Sequence, residues 1–154
     1  MSDYAGTVRP AAAGDEAAFL EMWSDFVQVA TEPCPPEAAE VAFHRVLDPA
    51  NTLGCLIALS REGKQVGFAL YVTHPYSWST RDVCYLLDLY VRPEARGRGH
   101  GRALLDELSR IGREAGWLRI NWMTQPDNAL AHSLYDKVAE RCPLVRYDLY
   151  LSPH

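Results

Sequence analysis

Residues 85–102 read YLLDLYVRPEARGRGHGR, an apolar run that gives way to alternating arginine and glycine. The first seven residues are aliphatic or aromatic around one aspartate, the composition of a buried strand. Beyond the glycines, Leu104, Leu105, Leu108, Ile111 and Ala115 recur at helical spacing, so residues 85–115 predict strand, tight turn and helix. Gly97, Gly99 and Gly101 keep side chains off the turn, and the start of a helix leaves N–H groups without intrahelical partners at a positive dipole end. Such a turn binds phosphate. Arg96, Arg98 and Arg102 add cations around it, which suits a ligand with several phosphates.

Spacing decides which phosphate loop this is. No Lys-Ser or Lys-Thr follows the glycines, which excludes G-x-x-x-x-G-K-[ST]. The order is G-x-G-x-G, and residues 118–121 supply no acidic group for a ribose, which excludes the dinucleotide fingerprint. An Arg-Gly run can also be a disordered RNA-binding segment, but this one is short and has amphipathic structure on both sides. The pattern that fits is R-x-x-G-x-G, at Arg96, Gly99 and Gly101. Val91 and Pro93 precede it as V-x-P, and Asn128, Ala131 and Tyr135 follow as N-x-x-A-x-x-x-Y. With these two spaced motifs in order, the chain resembles the GNAT superfamily of acyl-CoA-dependent N-acyltransferases. Residues 85–101, 120–140 and 145–151 are similar to the branch that holds diamine and polyamine acetyltransferases and yeast histone- and polyamine-acetylating enzymes.

The resemblance implies an α/β (α+β) fold over 1–154 as a single domain, with a mixed, mostly antiparallel sheet of six to seven strands and about four helices. It implies acetyl-CoA as co-substrate and no metal. The strand before the turn would splay from its neighbour and offer the backbone of Leu89, Tyr90 and Val91 to the pantetheine arm, as an added strand would pair. The pyrophosphate would rest on the amides of residues 98–102, within a site formed by Arg96, Gly97, Arg98, Gly99, His100, Gly101, Arg102, Asn128 and Tyr135. A homodimer is implied as well, with residues 144–151 near the contact.

Acyl transfer to an amine needs a base for the amine and an acid for the departing thiolate. Tyr135 suits the acid, since a phenol with a pKa of about 10 stays protonated at neutral pH. Asn128 lies seven residues earlier, so at about 100° per residue the two share a helix face. Related enzymes often carry a glutamate one residue before Asp88, where this chain has Leu87. Asp88 is the nearest carboxylate, although strict alternation points it away from the face of Leu87. A structural role for Asp88, a water chain, or Glu32 and Asp82 in loops remain as alternatives. His74, Tyr76 and Trp78 either line an acceptor pocket or cover the sheet, His100 is expected to be exposed, and His44 and His132 read as structural, without partners at metal-ligand spacing.

Composition narrows the partners. At 154 residues with 48% hydrophobic content, one domain can bury a full core. The formal net charge of −5 argues against nucleic-acid binding and favours cationic acceptors, which Asp25, Glu32 and Asp82 could receive. Cys34, Cys55, Cys84 and Cys142 form no C-x-x-C and are expected to be buried thiols. The N-terminal residues lack a charged-then-apolar leader and no apolar run approaches ~20 residues, so a soluble, cytoplasmic protein is expected, with no membrane partner. The resemblance implies a primary amine as acceptor, whether polyamine, amino acid, aminoglycoside or protein lysine, and a non-catalytic acyl-CoA sensor is the rival reading.

Elsewhere the pattern predicts a strand over 7–10, a helix from Gly14 or Asp15 to about Val29, a proline loop over 31–36 and a helix over 37–47. A hairpin follows, with its turn at residues 61–64, then strands over 83–91, 117–123 and 144–151 and a helix capped by Asp127 and ending near Ala139.

Overall fold

Two runs of alternating apolar residues on either side of Arg61-Glu62-Gly63-Lys64 pair as a hairpin, with Ser60 N donating to Lys64 O at 2.8 Å and Gly63 at φ 81°. The rest of the sheet is laid beside it. In the computed structural model, which describes residues 6–30 and 32–152, the strands are β1 (Thr7–Pro10), β2 (Leu53–Leu59), β3 (Gln65–His74), β4 (Val83–Val91) and β5 (Ile120–Asn121), in that spatial order. Neighbours are antiparallel except β4 and β5, which are parallel. The helices are α1 (Glu16–Val27), α2 (Ala38–Leu47), α3 (His100–Ala115) and α4 (Ala129–Tyr135). The chain divides after Trp122 into two compact units, with α4 in the second.

Alternation assigns the two faces of the sheet. Cys55, Ile57, Phe68, Leu70 and Tyr90 form one face, and Phe19, Met22, Ala39 and Phe43 of α1 and α2 close over it. Phe19 is fully buried between Phe43 and Phe68, with centroids at 5.1 and 5.0 Å, and burying each such side chain contributes about 1.5–3 kcal/mol. Leu56, Ala58, Ala69 and Leu86 alternate onto the other face, where α3 lays down Leu104, Leu105 and Leu108. Ile111 is only partly covered and Ala115 is exposed, so the predicted stripe stops one turn early.

Two irregularities in β4 shape the site. Leu70 lies opposite Asp88 but Tyr71 lies opposite Leu86, which leaves Leu87 as an extra residue in a β-bulge. The bulge resets the phase of the strand, so Tyr85 and Asp88, three residues apart, share the face of Val72 and Leu70. Strict alternation across Leu87 and Asp88 therefore does not hold. Pairing of β4 with β5 is also brief, covering Cys84 with Ile120 and Tyr85 with Asn121. From residue 86 to 91 that edge of β4 meets no strand among the described residues.

Several sequence expectations need correction. Among the described residues the sheet has five strands, where six to seven are expected. Residues 144–151 alternate well, yet their backbone joins no ladder and Leu144, Val145, Tyr147, Leu149 and Leu151 are all exposed, because a strand exists only where another strand completes its hydrogen bonds. The strand predicted over 117–123 shrinks to β5 for the same reason. The last helix is shorter than predicted and is capped by Asn128, whose Oδ1 accepts from Ala131 N at 3.1 Å. Its end tightens where Val138 N and Ala139 N both donate to Tyr135 O. Helix α1 stops at Val27 and opens on a 3-10 turn, Ala13–Asp15. Cys55 and Cys84 are buried thiols, whereas Cys34 and Cys142 are exposed. Thr31, at the head of the proline loop, lies outside the described residues. No described helix is long and apolar enough to cross a membrane.

Candidate active site

The turn between β4 and α3 is built residue by residue from backbone demands. Arg92 N donates to Val66 O at 2.8 Å, which keeps the chain on the sheet to the last possible residue. Pro93 then opens a short 3-10 turn, Pro93–Ala95, closed by Ala95 N donating to Arg92 O at 2.9 Å. Gly97 and Gly99 follow at φ 73° and 86°, left-handed conformations that other residues rarely adopt. Gly99 caps α3, and Ala103 N donates to its carbonyl at 2.9 Å. Amides ahead of that bond, including those of Gly101 and Arg102, have no intrahelical acceptor.

Gly101 has no such backbone reason to be glycine. It sits inside α3, not at positive φ, where glycine costs about 1 kcal/mol against alanine. A glycine at this place leaves the start of the helix without a side chain.

The predicted cations are unequal. Arg96 folds back, its Nε donating to Val91 O at 2.9 Å and its guanidinium lying 5.9 Å from the Tyr90 ring centroid. Arg102 pairs with Asp106 at 2.9 Å, one turn along α3. Arg98 is exposed and makes no ion pair among the described residues. His100, expected at the surface, is 6% exposed. Burial, with Arg98 adding to it, pushes its pKa down.

On β4, Leu89 and Val91 are partly covered, while Tyr90 is turned into the α1–α2 core against Phe26 and Phe68. Its hydroxyl is buried without a hydrogen-bond partner. What these residues offer toward the β5 side is backbone. Asp88, at the bulge, is half-buried, and burial raises its carboxyl to about 6. A carboxylate there is more basic than usual at neutral pH. Leu87 beside it is 39% exposed and carries no acid or base.

In the second unit, Asn128 spends its amide on local structure, with Nδ2 donating to Thr124 Oγ1 at 3.3 Å and Oδ1 holding the cap. Tyr135 closes α4, half-buried, and burial raises the phenol's pKa, so it stays protonated at neutral pH. His132 is structural, its Nε2 at 3.1 Å from Gln125 O.

The loop after β3 does not cover the sheet. Trp78 is 87% exposed, and Tyr76 lies under the Arg119 guanidinium at 4.4 Å. Asp25, Glu32 and Asp82 are exposed. His44, expected to lack partners at metal-ligand spacing, has its Nε2 3.0 Å from Glu16 Oε1, and one donor atom each of Glu16, Glu40 and His44 lies within 4.8 Å of the others. This is a surface contact between α1 and α2 with a second carboxylate beside it. Sequence reasoning missed Arg92, a guanidinium buried directly after β4, and nothing in the local pattern marks it beyond a charge between a strand and a proline.

With this geometry in hand, comparison with known proteins is specific. Residues 18–139 match the acetyltransferase (GNAT) family. The D-amino-acid N-acetyltransferase HPA3 of Saccharomyces cerevisiae is 36% identical over 134 residues, 86% of this chain and 83% of that one. The thialysine N-epsilon-acetyltransferase of Bos taurus is 29% identical over 128 residues, covering 78% and 69% of the two chains. A crystal structure of a probable acetyltransferase superposes with a TM-score of 0.83 at 22% identity over 96% of this chain and 99% of that one, which concerns the fold alone.

Proposed function

The chain belongs to the GNAT acetyltransferase family and is an N-acetyltransferase; on that premise we propose that it moves the acetyl group of acetyl-CoA directly to a free primary amine within a ternary complex. The observation that carries this reading is a stretch of backbone that no strand pairs. Among the described residues no strand meets the β5-side edge of β4 from residue 86 to 91, although the Val91 carbonyl accepts from Arg96 Nε, and that edge runs into the turn whose amides at the start of α3 have no intrahelical acceptor. A pantetheine arm needs the first and a pyrophosphate the second, which is the fit expected of acetyl-CoA. The whole chain, 1–154, acts as one acetyltransferase domain.

In the reaction the amine nitrogen attacks the thioester carbonyl carbon, a C–N bond forms, and the C–S bond breaks as the thiolate leaves. Asp88, with its carboxyl raised to about 6, takes the amine proton directly or through water. Tyr135 gives its hydroxyl proton to the departing sulfur. Among acceptors, amino-acid-like and polyamine-like amines are favoured, because the chain's charge of −5 draws cations and the relatives are named for D-amino acids and thialysine. The protein acts as a homodimer in which residues 144–151, with Leu144, Val145, Tyr147, Leu149 and Leu151 exposed, are covered by the second copy. Light scattering that finds only monomer at every accessible concentration removes the dimer.

The test of function is thiol release from acetyl-CoA with D- and L-amino acids, thialysine, spermidine, putrescine and aminoglycosides as acceptors. Release that depends on one class names the substrate. No acceptor-dependent release from a folded protein that binds acetyl-CoA refutes the transfer reading.

A further inference from the structure

Arg92 is a costly residue to bury. Its side chain is 6% exposed, whereas the carboxylate that neutralises it, Glu21 of α1, is 67% exposed. Nη1 donates to Glu21 Oε1 at 2.6 Å and Nε donates to the carbonyl of Gln65 at 3.0 Å. Gln65 in turn donates from its side chain to Asp15 Oδ1 at 3.0 Å. Asp15 is gripped by Arg9 at 2.6 and 2.9 Å and by Ala12 N at 2.9 Å. One chain of polar groups therefore runs Arg9–Asp15–Gln65–Arg92–Glu21, tying the start and the middle of α1 to β1, to β3 and to the residue where β4 ends.

Stability alone does not explain this arrangement, because replacing a buried ionic group by an apolar one of similar volume is commonly neutral or stabilising. Position explains it. Arg92 is the residue before Pro93, its carbonyl closes the 3-10 turn by accepting from Ala95 N, and its amide is the last rung to β3. Only there can a side chain fix both the direction and the height at which the chain leaves the sheet for Gly97 and Gly99. A planar guanidinium suits the task, because it reaches two acceptors on different elements at set angles.

We propose that Arg92 is a positioning residue for acetyl-CoA: through the Gln65 carbonyl and Glu21 it holds the start of the glycine turn so that the amides at the head of α3 are aligned before the pyrophosphate arrives. The inference rests on the reading of that turn as the acetyl-CoA site. Misaligned amides weaken cofactor binding, whereas chemistry on bound acetyl-CoA is untouched, since Arg92 does not reach the reacting atoms.

The experiment compares wild type, Arg92→Met, Arg92→Lys and Glu21→Gln by calorimetric acetyl-CoA affinity, by KM and kcat with acetyl-CoA varied, and by thermal unfolding. Arg92→Met is expected to raise both Kd and KM for acetyl-CoA about tenfold, with kcat within about threefold of wild type, a loss of binding without loss of the chemical step. Arg92→Lys should recover only part of the affinity, because an ammonium cannot serve both acceptors with the same fork. Glu21→Gln, on the surface, should raise Kd about threefold at unchanged melting temperature. A folded Arg92→Met protein with wild-type Kd and KM overturns the proposal even if its melting temperature falls, since that pattern belongs to a purely structural residue. Should Arg92→Met fail to fold, wild-type Kd in Glu21→Gln overturns it instead. A wild-type protein that does not bind acetyl-CoA sinks the reading of the turn and this inference with it, whereas binding that ignores both substitutions sinks the inference alone.

Discussion

The sheet unit, residues 1–122, and the C-terminal unit, residues 123–154, obtain their local structure in different ways. In the first, the residues that anchor the chain around the glycine turn are held by several partners at once. Arg92 has a ladder bond, a carbonyl and a carboxylate, and Asp15 accepts from three separate residues. In the second, most of the bonds reach only a few residues along the chain, such as the Asn128 cap, the Ser133 hydroxyl on Leu130 O and the Arg141 fork on Asp136, and the long-range one, from Arg146 Nη1 to Met123 Sδ, is a weak contact at 3.9 Å. Both units contain bidentate arginine–carboxylate pairs of similar geometry. One carboxylate is buried at 2% exposure and the other is 46% exposed. Identical chemistry thus serves as a fixed point in one place and as surface decoration in the other.

The sharpest probe of the first unit is Gly101→Val. Because Gly101 is helical, valine strains the backbone little, unlike a substitution at Gly99 with φ 86°, and the fold should survive. Acetyl-CoA binding measured by calorimetry should be abolished, and unchanged affinity in the folded variant would defeat the assignment of the turn. For the second unit the matching probe is Tyr135→Phe, which keeps the ring and removes the donor. Single-turnover rates with acetyl-CoA pre-bound should drop about 10²–10⁴-fold, and the high-pH limb of the rate profile should alter. A rate within about threefold of wild type removes Tyr135 from the mechanism.

Smaller effects test how firmly each part is held. Asp15 has its carboxyl depressed to about 2 by the Arg9 guanidinium, against opposing burial and with help from Gln65 and Ala12. A depressed folded pKa contributes stability that is fully present above the unfolded value near 3.8 and is lost as pH falls toward 2. Asp15→Asn should therefore cost about 2 kcal/mol in urea unfolding at pH 7 and much less near pH 2. Asp88 has the opposite sign. Its raised pKa means that stability declines as pH climbs from about 4 to about 6, so Asp88→Asn should gain on the order of 1 kcal/mol at pH 7. The same substitution should slow transfer and abolish a rise of rate with pH centred near 6, and a wild-type pH profile in that variant leaves the base to water. The smallest effect is expected at Arg141→Ala, where loss of an exposed pair should leave the melting temperature unchanged. A clear drop would mean that the second unit is held more firmly than its local bonds suggest.

Legibility in the sequence followed the same divide. The hairpin, β4, the glycine turn and α3 were readable because periodicity, turn residues and burial agree there. The bulge at Leu87 was not, since it is defined by the register of β3 and no residue type announces it. His100 was misjudged because an unspecified motif position says nothing about which way a side chain turns at the first residue of a helix. Asp127 and Asn128 compete equally for a cap in sequence, and only backbone geometry chose Asn128. Residues 144–151 carry the right alternation, but alternation describes one strand and pairing needs two.

The bulge at Leu87 has a consequence for how the site can be lost. Deleting that one residue would leave Leu86 opposite Tyr71 and Asp88 opposite Leu70, so every other rung of the sheet would survive. The strand would then run straight, free to keep company with β5 beyond Tyr85 in place of parting from it. Such a protein would be a more regular sheet, and on the proposed reading it would offer less of the β4 edge to acetyl-CoA. The irregularity in β4 follows directly on the last rung that β4 shares with β5, and under the proposed function the backbone beyond it is what the pantetheine arm would pair with.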